Sequence, residues 1–529
     1  MKWRFVKIAL GSIVGVPLAA GGGLAVYVSY RAHTRPPDPI FRPLVNADGS
    51  LILSDSTRIA PPSRLSILVR IVELLMIFLP MAVLYLLMSH RSAWKLTWMK
   101  MMLRAVEHAG PAFIKAGQWT CTRKDLFSDE FREVFQRLYC EVQIHPYRDT
   151  LRILREDLGC DPMTIFSSLE VRTVGSGSIG QVHAAILKDT SEKVVVKVMH
   201  PRVIETISQD FFIVNSCASL VAKYFSSLER YDLKTLALAW TNHLAAQLDF
   251  RIEAENLELF RDRFKDVDFV EFPRPILSTQ RVLVETYANG VPATPDFLRA
   301  QETHVRDIMA FKGLNTWCKM LLRDNFIHGD MHPGNILVDA SNPHKPVITL
   351  IDVGLCQKLT SAESVVYHDL MSSFVHWDPA LCAKTTLSMY PTQKFCDEKK
   401  FKHDIDFMFT HYRSATSTDH KVVTNILESV FSCVRDNHIM LDTGYVSLMF
   451  AVLVLEAFIM NLNPEFNMVR HSAPWLVSEG HLSWSLVRNI FLSKVHQVRT
   501  DWTSNVNAKR YIEAKALAEK NVAIRMTSA

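Results

Sequence analysis

The sequence predicts an α+β fold in two lobes, a small β-rich lobe followed by a larger helical one. Three observations predict it. Gly175-Ser176-Gly177-Ser178-Ile179-Gly180-Gln181-Val182 is a glycine-rich turn followed by two strand-like runs, Val182–Ile186 and the β-branched Lys193–Val198. A polar loop, His328-Gly329-Asp330-Met331-His332-Pro333-Gly334-Asn335, precedes an apolar run, Val347–Ile351, that ends in Asp352-Val353-Gly354. Beyond that point the periodicity is helical to about residue 529.

The N-terminus differs in kind from the rest. The first 37 residues contain no acid and carry Lys2, Arg4, Lys7, Arg31 and Arg35. Ile8–Tyr30 is an uncharged, glycine-rich stretch of 23 residues, long enough to span a bilayer at ~1.5 Å per residue. A transmembrane segment, a cleaved secretory signal and a mitochondrial import sequence joined to an anchor all fit it. Residues 31–65 are a linker, because Pro36, Pro37, Pro39, Pro43, Pro61 and Pro62 forbid regular structure over much of it. A second apolar stretch, Ile67–Met88, is interrupted by Arg70, Glu73 and Pro80. It reads as a span, an interfacial helix or a core helix. The resulting division is 1–35, 36–65, 66–93, a helical extension over 94–168, a β-rich lobe with a helical insertion over 169–290, and a helical lobe over 291–529.

Within the β-rich lobe, glycines at 175, 177 and 180 let backbone N–H groups approach phosphates without a Cβ clash. A lone Gly/Ser run is more often a plain turn. Here Lys197 follows 17 residues later in a β-branched run, the place of an α/β-phosphate ligand. Glu253, 56 residues further on, is the candidate partner, so extra helices must lie between strand and partner. Arg281–Gly290 is a strand running into a glycine-ended turn, with Glu285 and Tyr287 where a backbone would meet adenine. Gly175, Gly177, Ser178, Gly180, Lys197, Glu285 and Tyr287 are therefore the nucleotide-binding candidates.

Phosphoryl transfer needs oxygen ligands for Mg²⁺ and a carboxylate beside the nucleophile. The H-x-D-x-x-x-x-N and D-x-G pair supplies both: Asn335 and Asp352 for metal, Asp330 to accept a proton from, or orient, the attacking hydroxyl. Asp-x₄-Asn alone is common by chance; the downstream D-x-G makes chance a poor account. His328 reads as a residue that braces the loop. Thr360-Ser361-Ala362-Glu363 is a capping box, so a helix starts there, with only Leu355–Leu359 between. That leaves no long segment as a platform for a peptide, and a non-peptide, lipid-like acceptor follows; the alternative is a protein bound elsewhere. Ser447–Met460 has the length of a buried core helix.

Composition excludes other classes. Net charge is +5, from 59 basic and 54 acidic residues, and no basic face marks a nucleic-acid binder. Nine scattered cysteines without C-x-x-C spacing argue against a disulfide framework and a zinc site.

Lys115-Ala116-Gly117-Gln118 with its continuation to Phe127, Ser178–His183, Lys197-Val198-Met199-His200-Pro201 and His328–Leu337 resemble the UbiB/aarF-domain-containing atypical kinase family, closest to its kinase 2 group. The match runs from about 95 to 355. The resemblance implies a protein-kinase-like bilobal fold with a K-x-G-Q helical extension over the active site. It implies ATP and Mg²⁺ as cofactors, a mitochondrial inner-membrane setting, and ATPase or small-molecule kinase activity in coenzyme Q or related lipid metabolism. Partners would be a nucleotide, a membrane lipid or quinone-like small molecule, and coenzyme Q biosynthetic proteins. Lys115 and Gln118 would occlude the phosphate site; Lys197, Glu253 and Asp330 would be catalytic alongside Lys115. Two departures stand out. The family's phosphate loop is alanine-rich, and here it is Gly175-Ser176-Gly177-Ser178. The family's E-x-D is Gln247-Leu248-Asp249, which offers Lys115 no full charge and predicts a looser extension. A nucleotide-gated scaffold and a soluble antibiotic- or choline-kinase-like enzyme are the competing readings.

Overall fold

The computed structural model describes residues 63–88, 94–122, 129–139, 144–225, 232–390, 396–415 and 422–466, and a few positions between 468 and 475. The apolar stretch 8–30 and the proline-rich linker up to residue 62 lie outside them, as does most of the continuation of the K-x-G-Q element.

The described part of the chain begins with α1 (Arg64–Met88), which contains Pro80. Then come α2 (Lys95–Ala109), α3 (Pro111–Thr122) and α4 (Asp129–Phe135), the helical extension expected from residue 94. α1 docks on the extension by its inner face. Ile67, Ile71 and Leu74 pack with Ala109, Phe212 and Ile213, and Tyr85 packs with Trp98, Met102 and Phe135. Arg70 is the polar clamp within that face. Its guanidinium donates to both Asp210 oxygens at 2.8 and 3.0 Å, to Glu73 at 2.8 Å, and to the Ala109 carbonyl. A buried guanidinium is tolerable only with this set of acceptors, so α1 is fixed to the protein rather than merely leaning on it. Its outer face, Leu65, Leu68, Val69, Val72, Met76 and Val83, is exposed.

α5 (Tyr147–Leu158) leads into the small lobe. Strands β1 (Phe166–Ser176), β2 (Gly180–Leu187) and β3 (Lys193–Met199) are consecutive antiparallel neighbours. The expected insertion follows as α6 (Val203–Tyr224) and α7 (Leu233–Ala245), before α8 (Phe250–Arg263). Asp249 caps α8 by accepting from Arg251 N–H at 3.0 Å. Next are β4 (Val270–Glu271), β5 (Pro275–Ser278), β6 (Val282–Thr286) and β7 (Val291–Pro292). The five-stranded sheet has the order β1-β2-β3-β6-β5. Its inner face, Phe166, Ala185, Val194, Val196, Val198, Val282 and Val284, is buried against Ile153 and Leu154 of α5.

The large lobe comprises α9 (Pro295–Ala300), α10 (Thr303–Cys318), β8 (Phe326–His328), β9 (Ile336–Asp339), β10 (Val347–Leu350) and β11 (Cys356–Lys358). β4 and β7 leave the first sheet and join this lobe, in a second sheet of order β4-β10-β9-β7. Then follow α11 (Ser361–His376), α12 (Pro379–Ser388), α13 (Glu398–Ala415), α14 (Val422–Asp436) and α15 (Thr443–Leu462). α11 starts where the sequence places it. Thr360 accepts from Glu363 N–H at 3.3 Å, and the Glu363 carboxylate accepts from Thr360 N–H at 2.8 Å. α15 is the expected core helix, with Val446, Leu448, Met449, Leu453, Ile459 and Leu462 buried. By length and composition both Arg64–Tyr85 and Gly444–Leu462 could cross a membrane; 75% of the second window is buried inside the protein, against 22% of the first.

Candidate active site

Lys197 sits at the centre of the cleft between the lobes. β3 carries it, and the register Val198↔Val282 and Lys197↔Leu283 fixes its height on the sheet. Its ammonium donates to both Glu253 oxygens at 2.8 Å and to Asp352 Oδ1 at 2.9 Å. The partners lie 56 and 155 residues away in the chain. Burial pushes the Lys197 pKa down, but the two carboxylates outweigh it and keep the ammonium charged. The Asp352 carboxyl is also penalised by burial, and Lys197 holds it well below the usual range. Glu253 goes the other way: burial raises it, and Asp352 adds to the rise.

Asp352 has φ 56. A non-glycine residue in the left-handed region stores on the order of 1 kcal/mol or more of strain and persists only where its surroundings hold it. Asn256 of α8 supplies one hold by donating to the Val353 carbonyl at 2.9 Å. Sequence reasoning gave Asn256 no role. The available signal was its spacing, three residues after Glu253 and hence on the same helix face.

The loop that carries Asp330 is braced as expected. His328 is fully buried; its Nδ1 accepts from Asp330 N–H at 3.2 Å, so its Nε2–H donates to the Ile351 carbonyl at 3.1 Å. That is a neutral imidazole, and burial lowers its pKa accordingly. It ties the loop of Asp330 to the strand that leads into Asp352. Asn335 donates its amide to the Asp330 carbonyl at 2.9 Å, which turns Oδ1 into the free ligand atom. Asn335 and Asp352 can thus hold a hard cation by oxygen.

Lys115 of α3 reaches Asp330 Oδ2 at 3.6 Å. Burial raises the Asp330 carboxyl, and Lys115 together with His332 and His328 more than offsets this, leaving it below the usual range. The charge that Gln247 cannot give Lys115 is therefore met by Asp330. Gln118 donates to the Leu138 carbonyl at 2.9 Å, a bond inside the extension.

The glycine-rich loop divides its glycines. A Cβ on Gly180 would lie 2.6 Å from the Val198 carbonyl oxygen, whereas Gly175 meets nothing within 4 Å and Gly177 only the Gly180 oxygen at 3.8 Å. Gly180 is demanded by strand packing; the space for phosphate is at Gly175 and Gly177. Gly177 N–H itself donates to the Gly180 carbonyl at 2.8 Å. Ser178 is buried, and its hydroxyl has no hydrogen-bond partner among the described residues. An unpartnered hydroxyl beside two open glycines suits a phosphate oxygen.

A histidine chain below this loop was missed by the sequence reading. His200 Nε2–H donates to the Gly177 carbonyl at 2.8 Å, its Nδ1 pairs with His145 Nδ1 at 2.7 Å, and His145 Nε2 pairs with Thr150 at 2.9 Å. His183 and Gln181 extend it, 3.0 Å apart. The nearby His-Pro and Gln-Val-His pairs carried no periodic signal, because the partners come from different elements.

Tyr287 differs from the expected backbone contact. Its N–H donates to the Lys193 carbonyl at 3.1 Å, and its ring lies 3.6 Å from the Lys193 ammonium. Gly290, with φ 123 and a Cβ position 2.9 Å from the Val338 carbonyl, ends the turn as only glycine can. Glu285 is buried, and its Oε2 has no partner among the described residues.

Residues 137–386 match the family model for the ABC1 atypical kinase-like domain. The chain contains an ABC1 atypical kinase-like domain over this span. The matched span holds every cleft residue above except Lys115 and Gln118. The chain is 26% identical over 495 residues to a probable serine/threonine-protein kinase of Dictyostelium discoideum, covering 80% of this chain and 71% of that one. A mitochondrial ABC1 family protein of Saccharomyces cerevisiae is 25% identical, covering 77% and 74%. A probable protein kinase UbiB of Marinobacter nauticus is 32% identical over 274 residues, 51% of this chain and 50% of the relative.

Proposed function

We propose that this chain is a membrane-anchored atypical kinase or ATPase that binds Mg²⁺-ATP and acts in coenzyme Q or mitochondrial lipid metabolism on a non-peptide acceptor. The observation that carries it is Lys197 joined to Glu253 and Asp352 at 2.8–2.9 Å opposite a catalytic loop with Asp330 and Asn335 side by side. Lys197 would bind the α- and β-phosphates, and Ser178 and the open glycines would receive phosphate oxygens. Asn335 and Asp352 would hold Mg²⁺, which neutralises charge on the transferring group. Asp330 would orient the acceptor hydroxyl or water and take its proton.

The short passage from Gly354 to α11, occupied by β11, supports an acceptor other than a peptide. The mitochondrial label of the yeast relative, the acid-free N-terminus and the exposed apolar face of α1 support the inner mitochondrial membrane as the setting. Kinship with the aarF-domain-containing kinase 2 group belongs to the same proposal.

The Lys115–Asp330 contact favours one second reading, a nucleotide-gated scaffold whose acid is kept from an acceptor. The experiment is the melting temperature of the full-length protein with and without Mg²⁺-ATP, beside Asp352→Asn. Saturation at about 100 times Kd stabilises by roughly 2.7 kcal/mol. We expect a Mg²⁺-dependent rise that the variant loses. A folded wild-type protein that shows no rise removes the nucleotide-site reading.

A further inference from the structure

Glu285 is 7% exposed and stands at the end of β6, where the chain leaves the sheet. The register Lys197↔Leu283 and Val195↔Glu285, with side chains alternating along a strand, puts Glu285 on the same face as Lys197. That is the face of the cleft. Three charged groups lie near it: Glu253 of α8, Lys197 of β3 and Asp352 of the D-x-G turn. Lys197 has three N–H donors, and all three are engaged, two by Glu253 and one by Asp352. None is left for Glu285, and its Oε2 has no partner among the described residues. A buried polar atom left unpaired in the fold points to a partner that arrives with a ligand.

We propose that Glu285 reads the base of the bound nucleotide and selects adenine over guanine. The inference rests on the nucleotide-site reading above. A buried carboxyl with no cation to pair it is held in its neutral, protonated form, and burial with the neighbouring Glu253 carboxyl raises its pKa in the same direction. A neutral carboxyl offers one donor and one acceptor, as the glutamine amide does. Adenine presents the complementary pair on one edge, its exocyclic amino group and N7. Guanine presents O6 and N7 there, two acceptors. One of its two contacts then faces acceptor against acceptor.

The test measures binding of Mg²⁺-ATP and Mg²⁺-GTP to the full-length protein, to Glu285→Gln and to Glu285→Leu. The wild type should prefer ATP by about tenfold or more. Glu285→Gln should keep the preference, and Glu285→Leu should bind both nucleotides within about threefold of each other. Unliganded melting curves establish that the variants fold; both replace a buried acid with a group of similar size. A leucine variant that keeps the ATP preference overturns the proposal. So does a wild type that binds both nucleotides equally, which leaves the nucleotide site itself standing. A folded wild type that binds neither nucleotide overturns both.

Discussion

Two lysines face two aspartates across the same cleft, and they are held in opposite ways. Lys197 lies in the middle of a five-stranded sheet and makes three contacts of 2.8–2.9 Å. Lys115 comes from the helical extension and makes one contact of 3.6 Å with Asp330, the side chains 18% and 25% exposed. The sheet lysine is part of the machinery's frame. The extension lysine is a contact that can be broken without unmaking the fold. The difference teaches which elements of the cleft are fixed and which are adjustable. The same contrast separates Glu253, buried and anchored on α8, from Gln118, which works within the extension.

The largest effect should come from Lys197→Met. It leaves Glu253 and Asp352 facing each other with no cation, and breaking a buried pair in this way costs about 3–5 kcal/mol. Chemical denaturation should show that loss, and the Mg²⁺-ATP melting shift should vanish. The loss should shrink toward acid pH, because the orphaned carboxyls then take up protons. A variant as stable as the wild type would mean that the Lys197 pairs are not what holds the lobes in register.

An intermediate effect should come from the support beneath the glycine-rich loop. Burial and the neighbouring His200 and His183 push the His145 imidazole down to about 4. Two Nδ1 atoms 2.7 Å apart accommodate one proton between them and not two. The folded pKa lies below the unfolded one, so the unfolded state binds more protons between about pH 6.5 and about 4. The stability contribution is present above pH 6.5 and is lost as pH falls through that window. The melting temperature should fall from pH 7.5 to pH 5, and His145→Asn should flatten the curve. An unchanged slope in the variant would assign the acid sensitivity to another group, His328 first.

What the sequence made legible follows from periodicity and from chemistry carried by short spacings. The sheet strands, the insertion between Lys197 and Glu253, the α11 capping box and the α15 core helix were all readable, because each is local. The bracing role of His328 was readable from its place in the loop. Asn256, the His145–His200 pair and the Arg70–Asp210 clamp were not. Each joins elements far apart in the chain, and a single side chain leaves no periodic trace. The glycines illustrate a finer limit. The motif shows that 175, 177 and 180 are small, but the Val198 carbonyl alone shows that Gly180 serves strand packing. The replacement of the family's acidic residue by Gln247 was visible, yet that Lys115 meets Asp330 is a fact of three-dimensional placement.

The smallest effect on stability, and the sharpest on the comparison, should come from Lys115→Met. A partly exposed single pair contributes up to about 1 kcal/mol, so the melting temperature should barely move. The stability difference should also be confined to pH above the ordinary carboxylate range. Asp330 is held below its usual value, so the contribution of the pair is present above about pH 3.9 and is lost as pH falls through the folded pKa. Turnover should respond more. With Lys115 gone, Asp330 regains freedom to meet an acceptor hydroxyl or water, and its carboxyl rises toward the ordinary range. ATP hydrolysis by the full-length protein should increase, with the acid limb of its pH profile displaced upward. A fall in turnover with unchanged stability would reverse the assignment: Lys115 would then belong with Lys197 as part of the frame, holding Asp330 in its working charge state rather than keeping it from an acceptor.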